Sequence, residues 1–229
     1  MKDNVNILCL YWVGDFRDRD FMENDVVRLR ESVERHIDRP YTFYCLTNDV
    51  NAVIPAEKIL LEHNWPGWWS KMEIHRPDLP QGKTLYMDLD SCVVSSLAPI
   101  LDFPSRRLTM FNTLNRKKPG EPVIGRWVHR YQAATMLFTS PDELMSDVYK
   151  RFVQCPDEYM ECYRSDQDVM GEWIPDQPVF PDEWMVKLGS LKKHPLSKDV
   201  IIVTGQPKEG SFRDPEFAPW LNKIARGET

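Results

Sequence analysis

The first strongly patterned segment, Asn6-Ile7-Leu8-Cys9-Leu10-Tyr11-Trp12-Val13, is almost continuously apolar, as expected of a strand covered on both faces in a parallel or mixed sheet. Gly14-Asp15 ends it. Over residues 23–37 the apolar positions Val26, Leu29, Val33 and Ile37 recur at helical spacing, with acidic residues early, where the helix dipole favours them; this predicts an amphipathic helix. Pro40 breaks that helix, and the aromatic and β-branched run Tyr41-Thr42-Phe43-Tyr44-Cys45-Leu46-Thr47 predicts a second strand. A short strand at 59–61, a helical turn at 71–76 stopped by Pro77, and a central strand at 84–88 follow. Further on, 108–111 and 134–138 read as strands. Residues 142–153 read as a helix starting near Ser140 or Asp142. Residues 115–122, with Arg116, Lys117, Lys118, Pro119 and Gly120, read as a basic loop. No internal repeat or interdomain linker is visible. The alternation predicts an α/β fold, in which ligands sit beyond the carboxyl ends of the strands, and Asp88 falls at such an end.

Length and composition narrow this picture. The 229 residues fit one domain, residues 1–229, large enough to enclose a site. With 42% hydrophobic and 28% charged residues the balance is that of a globular protein. A formal net charge of -6 gives no general attraction to nucleic acid, so no nucleic-acid partner is expected. The N-terminal apolar run is too short for a transmembrane segment and lacks the features of a secretion signal. Five cysteines without C-x-x-C spacing predict free thiols and a cytoplasmic location.

The candidate chemistry lies in Asp88-Leu89-Asp90. On an extended backbone, residues two apart project to the same face, so both carboxylates would grip one cation. Carboxylate oxygens suit Mg²⁺ or Mn²⁺, which bridge protein carboxylates to nucleotide phosphates. The same spacing occurs in Asp18-Arg19-Asp20 and Asp166-Gln167-Asp168. Only the first triplet lies between an apolar strand and another apolar run, Cys92-Val93-Val94, where uncompensated carboxylates are costly. Turn capping is the plain alternative.

The segment Leu85-Tyr86-Met87-Asp88-Leu89-Asp90-Ser91-Cys92-Val93-Val94-Ser95-Ser96-Leu97 resembles the metal segment of family eight (glycogenin-like) glycosyltransferases, and Leu46-Thr47-Asn48-Asp49 resembles an earlier family stretch. The resemblance runs in order from Val5 to Lys208. It implies a single GT-A domain, a Rossmann-like nucleotide-diphospho-sugar transferase fold whose central mixed, mainly parallel sheet is flanked by helices. It further implies a hexosyltransferase-like enzyme moving a sugar from a nucleotide-sugar donor, UDP by family default, to a hydroxyl of a glycan, lipid or protein acceptor. Asp88 and Asp90 would then hold Mn²⁺ or Mg²⁺, and Asp88, Leu89 and Asp90 would face the donor. Lys71, in Trp69-Ser70-Lys71-Met72, would contact the diphosphate; its plain alternative is the solvated side of a short helix. Trp68 and Trp69 are expected in the core.

Ser165-Asp166-Gln167-Asp168-Val169-Met170 resembles the family's Asp-Gln segment, which opens a helix beside the reacting sugar. Asp166, Gln167 and Asp168 are therefore the catalytic candidates, although Ser165 with Asp168 also reads as a helix cap with its acidic partner. A carboxylate base would suit inversion, whereas the family retains configuration, and the spacing leaves both open. Ile201-Ile202-Val203-Thr204-Gly205-Gln206-Pro207-Lys208 resembles the segment supplying phosphate contacts, which implies Gly205 and Lys208 in that role. Thr204 stands where the family has a metal-binding histidine. Gln132-Ala133-Ala134-Thr135-Met136-Leu137 departs from the family's Asn-Ser-Gly-like acceptor segment, so the acceptor stays open. His63, His75 and His129 lack spaced partners and receive no catalytic role. Two rival readings stand beside this one. In a haloacid-dehalogenase-like phosphatase Asp88 is nucleophile and Asp90 acid; in an inactive sugar-nucleotide-binding protein the fold persists without turnover.

Overall fold

The computed structural model describes residues 3–16, 21–112, 130–191 and 196–205. In chain order it runs β1 (Val5–Tyr11), α1 (Glu23–His36), β2 (Tyr41–Thr47), β3 (Glu57–Leu60), a 3-10 helix (Gly67–His75), β4 (Gly82–Met87) and β5 (Ser91–Val93). The second half runs α2 (Ala98–Leu101), β6 (Thr109–Asn112), β7 (Tyr131–Ser140), α3 (Glu143–Gln154), α4 (Pro156–Cys162), α5 (Asp166–Trp173), a 3-10 turn (Asp182–Trp184), β8 (Met185–Lys187), α6 (Leu188–Leu191) and β9 (Ile202–Thr204).

Six strands form one mixed sheet in the order β3-β2-β1-β4-β7-β6. The β3-β2, β2-β1 and β1-β4 pairs are parallel, while β4-β7 and β7-β6 are antiparallel. This is the α/β architecture that the strand and helix alternation predicts, in the mixed-sheet form that the family resemblance implies. Both faces are covered, and strand alternation assigns the residues to them. Ile7 and Cys9 of β1 and Leu85 and Met87 of β4 pack with Val26, Leu29 and Val33 of α1. Leu8, Leu10 and Tyr86 face the other way, against Trp69, Met72 and Phe152. Two-sided burial is the reason β1 reads as continuously apolar.

A smaller sheet, β5-β9-β8, lies beside the first. Within it β5 runs antiparallel to β9, pairing Ser91 with Thr204. The short strands β8 and β9 and the helix α4 carry too little periodicity to be read from sequence. The helix α3 starts after Asp142, whose carboxylate accepts the Met145 N–H at 2.9 Å, so Asp142 and not Ser140 caps it. The strand predicted at 134–138 is longer, extending over Tyr131–Ser140 against both β4 and β6. Among the described residues no helix is long and apolar enough to cross a membrane.

Candidate active site

Because β1 and β4 are parallel neighbours, their carboxyl ends open on the same edge of the sheet. The chain leaves β4 at Met87, and the Ser91 N–H returns to the Asp88 carbonyl at 3.0 Å. Asp88-Leu89-Asp90 is therefore a tight turn, not the extended segment from which the shared face was argued. Asp88 N–H still bonds to the Ala134 carbonyl of β7 at 2.8 Å, and the chain turns beyond it to pass from the large sheet into β5. The turn still brings Asp88, Leu89 and Asp90 to one cavity, with Leu89 mostly in the core at 2% exposure.

Asp88 is fully engaged. Its Oδ2 accepts from Lys71 Nζ at 2.7 Å and its Oδ1 from the Tyr86 hydroxyl at 2.6 Å. Lys71 Nζ also lies 4.0 Å from Asp166 Oδ2. Lys71 is only 9% exposed and Asp166 3%, so the solvated-face reading of Lys71 fails. Burial works against the Lys71 charge, yet Asp88, then Asp166 and Asp90, outweigh it and raise its pKa. Burial, reinforced by Asp88, likewise raises that of the Tyr86 hydroxyl. The 3-10 helix carrying Lys71 is anchored by Glu73, which is completely buried and accepts the Glu62 and His63 N–H groups at 2.6 and 2.9 Å. Arg76 donates to the same carboxylate at 3.1 Å.

The C-terminal segment arrives through the small sheet. The Thr204–Ser91 pairing and a Gly205 N–H bond to the Asp90 carbonyl at 2.8 Å place Thr204 and Gly205 against the acidic turn. Lys208 lies outside the described residues, as do Asp18, Asp20, His129 and the stretch 115–122. In the Asp166-Gln167-Asp168 segment, Asp166 reaches toward Lys71, Gln167 is half-buried, and Asp168 Oδ2 accepts the Arg164 N–H at 3.2 Å. Ser165 stands at the N-cap of α5 but makes no side-chain capping bond, so the reciprocal cap expected from its spacing to Asp168 does not form.

The rest of the cavity is aromatic. Trp12, Phe16, Phe21 and Trp68, with Leu10 and Gly67, complete its wall. Trp69 is core, as its neighbours predict, but Trp68 is not. Sequence reasoning missed Tyr86 and this wall; the density of aromatics after β1 and before the 3-10 helix was the available signal. His75 is buried and His63 pairs with Tyr149 at 2.8 Å, and neither lines the cavity. All five cysteines are free thiols.

The carboxylates at this edge suit a hard cation, which is commonly held by one or two protein carboxylates with the remainder from phosphates and water. Among the described residues no group of three His, Cys, Asp or Glu side chains gathers as a metal cage. Among the described residues Asp88 and Asp90 are the candidate metal ligands, with Thr204 on the strand paired to Ser91.

No family model and no curated protein matches the chain by sequence. Solved structures match along its whole length. The galactosyltransferase LgtC, in complex with donor and acceptor sugar analogues, superposes with a TM-score of 0.65 at 15% identity, covering 98% of this chain and 96% of that one. The glycosyltransferase GlyE of Streptococcus pneumoniae gives 0.64 at 14% identity over 97% of this chain and 62% of that one. The bifunctional glycosyltransferase WbbM gives 0.60 at 14% identity over 100% and 52%. This chain therefore spans about half to two thirds of the last two. Its fold is that of GT-A glycosyltransferases.

Proposed function

We propose that this chain is a glycosyltransferase moving a sugar from a nucleotide-diphosphate donor, UDP-sugar first among candidates, to an acceptor hydroxyl of a glycan, lipid or protein. One observation carries this reading: a single cavity is lined both by the Lys71-Asp88 pair with Asp90 and by the rings of Trp12, Phe16, Phe21 and Trp68. The charged groups suit a diphosphate with its cation, and the aromatic rings suit the flat base of a nucleoside. That LgtC, which shares the fold, was solved in complex with donor and acceptor sugar analogues supports this reading.

When bound at Asp88 and Asp90, Mn²⁺ or Mg²⁺ would supply positive charge against the diphosphate oxygens. The chain's own residues do the rest. Lys71 holds a buried ammonium beside Asp88 and Asp166, fixed before any ligand arrives, which is the arrangement that electrostatic catalysis requires. The Tyr86 hydroxyl fixes the Asp88 carboxylate from its other side. In this reading Asp166 and Gln167, at the start of α5, orient the reacting sugar or the acceptor hydroxyl. Gly205, packed on the Asp90 carbonyl, leads the chain toward Lys208, the second basic group of the donor site in this reading.

The phosphatase alternative fits less well. Its nucleophile ends a first strand, whereas Asp88 follows the fourth. Incubating the protein with Mn²⁺ and a panel of nucleotide sugars, with and without acceptors, and measuring nucleoside diphosphate release tests the proposal. Release by the native chain that falls at least about a hundredfold in Asp88→Asn is the expected result. Hydrolysis of a generic phosphate ester that is lost in Asp88→Asn, with no donor turnover, would sink it.

A further inference from the structure

The loop leaving β1, Trp12-Val13-Gly14-Asp15-Phe16, is tied to two other loops by side-chain amides. Trp12 Nε1 donates to Asn64 Oδ1 at 2.9 Å, and Asn48 Nδ2 donates to the same oxygen at 2.8 Å. Asn48 also clamps Val13 on both sides: its Nδ2 donates to the Val13 carbonyl at 2.8 Å and its Oδ1 accepts the Val13 N–H at 2.8 Å. Asn64, with φ 52, is the one non-glycine residue in the left-handed region among the described residues. Asparagine visits that region more readily than other side chains, but still at a cost.

The backbone is pared back around the same rings. A Cβ on Gly14 would stand 2.2 Å from the Trp12 ring, and one on Gly67, φ +56, would stand 1.9 Å from that of Phe16. Phe16 meets Trp68 edge to face, with centroids 4.6 Å apart. Trp12, Phe16 and Trp68 are all cavity residues. A half-exposed indole N–H can bond to water at no conformational cost. A strained asparagine, bridged to a second asparagine across three loops, therefore has the character of preorganisation.

We propose that Asn64, supported by Asn48, is a positioning residue that fixes Trp12 as a stacking wall for the nucleobase of the donor. This rests on the donor reading above and deepens it. Every base offers a π-face, so such a wall orients the base without choosing among bases.

The test compares affinities for UDP, GDP and ADP with that for inorganic pyrophosphate, all with Mn²⁺, in the full chain and two variants. Asn64→Gly keeps the left-handed backbone and removes the acceptor oxygen, whereas Asn64→Asp keeps an oxygen for Trp12 Nε1. Asn64→Gly is expected to weaken the nucleoside diphosphates alike, by about tenfold, with pyrophosphate unchanged. Asn64→Asp is expected to restore most of that affinity. The proposal is overturned if Asn64→Gly weakens pyrophosphate equally, if it changes neither ligand, or if Asn64→Asp fails to restore binding. Native protein that binds pyrophosphate as tightly as every nucleoside diphosphate overturns it while leaving the anion site standing. If neither class binds, the donor reading falls and takes this inference with it.

Discussion

The Asp88 carboxylate accepts from Lys71 and from Tyr86, while Lys71 in turn lies within 4.0 Å of Asp166, so one ammonium links the turn after β4 to the first residue of α5. Charge pairs this deep hold together only when nearly every oxygen and proton has a partner. The identity of Lys71 was legible from a family-like segment, but its burial was not. Nothing in Ser70-Lys71-Met72 says that both neighbours of the lysine are also buried. His75, in the same 3-10 helix, shows the opposite outcome. It has no counter-charge, and burial lowers its pKa to about 3. The unfolded chain binds a proton at His75 below about pH 6.5, whereas the folded chain refuses it until about pH 3, so this site removes stability progressively as pH falls between those values. Between pH 7 and pH 5 the loss is about 2 kcal/mol. Urea unfolding of His75→Leu at the two pH values is expected to show a drop in unfolding free energy smaller than that of the native chain by that amount. An equal drop would remove His75 from the acid response.

Elements meet at the site in a way that strand patterns do not announce. The strand β5 is three residues long and follows a turn, yet its pairing with β9 sets Thr204 against Ser91 and Gly205 against Asp90. This pairing decides which residue stands next to the acidic turn, and here it is Thr204. Imidazole is the better ligand for Mn²⁺. Thr204→His is therefore expected to tighten Mn²⁺ binding at the proposed site, by about tenfold in titration calorimetry. Unchanged affinity would remove position 204 from that site. Long, strongly periodic elements were readable in the chain itself: Val26, Leu29 and Val33 mark α1, and the aromatic run 41–47 marks β2 to its ends. The Asp88-Leu89-Asp90 turn was not, because a two-residue spacing describes a strand or a reverse turn equally well until a hydrogen bond such as Ser91 N–H to Asp88 O selects one.

Across the whole molecule the central strand β4 joins everything. It is parallel to β1, antiparallel to β7, and buries Leu85 on one face and Tyr86 on the other. Leu85→Ala, at 0% exposure, is expected to lower stability by roughly 2–5 kcal/mol, measured by urea unfolding. A cost under 1 kcal/mol would contradict the two-layer core. The apolar blocks of β1 and β4, the amphipathic period of α1 and the carboxylates after β4 were already fixed along the chain, because burial on both faces of a sheet and acidic residues at a strand end are local properties of sequence. Tertiary structure decided the rest: the Lys71-Asp88-Asp166 grouping, the pairing that sets Thr204 beside the turn, and the aromatic wall of Trp12, Phe16 and Trp68. Each joins residues far apart in sequence, and only the closure of loops over a common sheet edge places their charges and rings within contact distance.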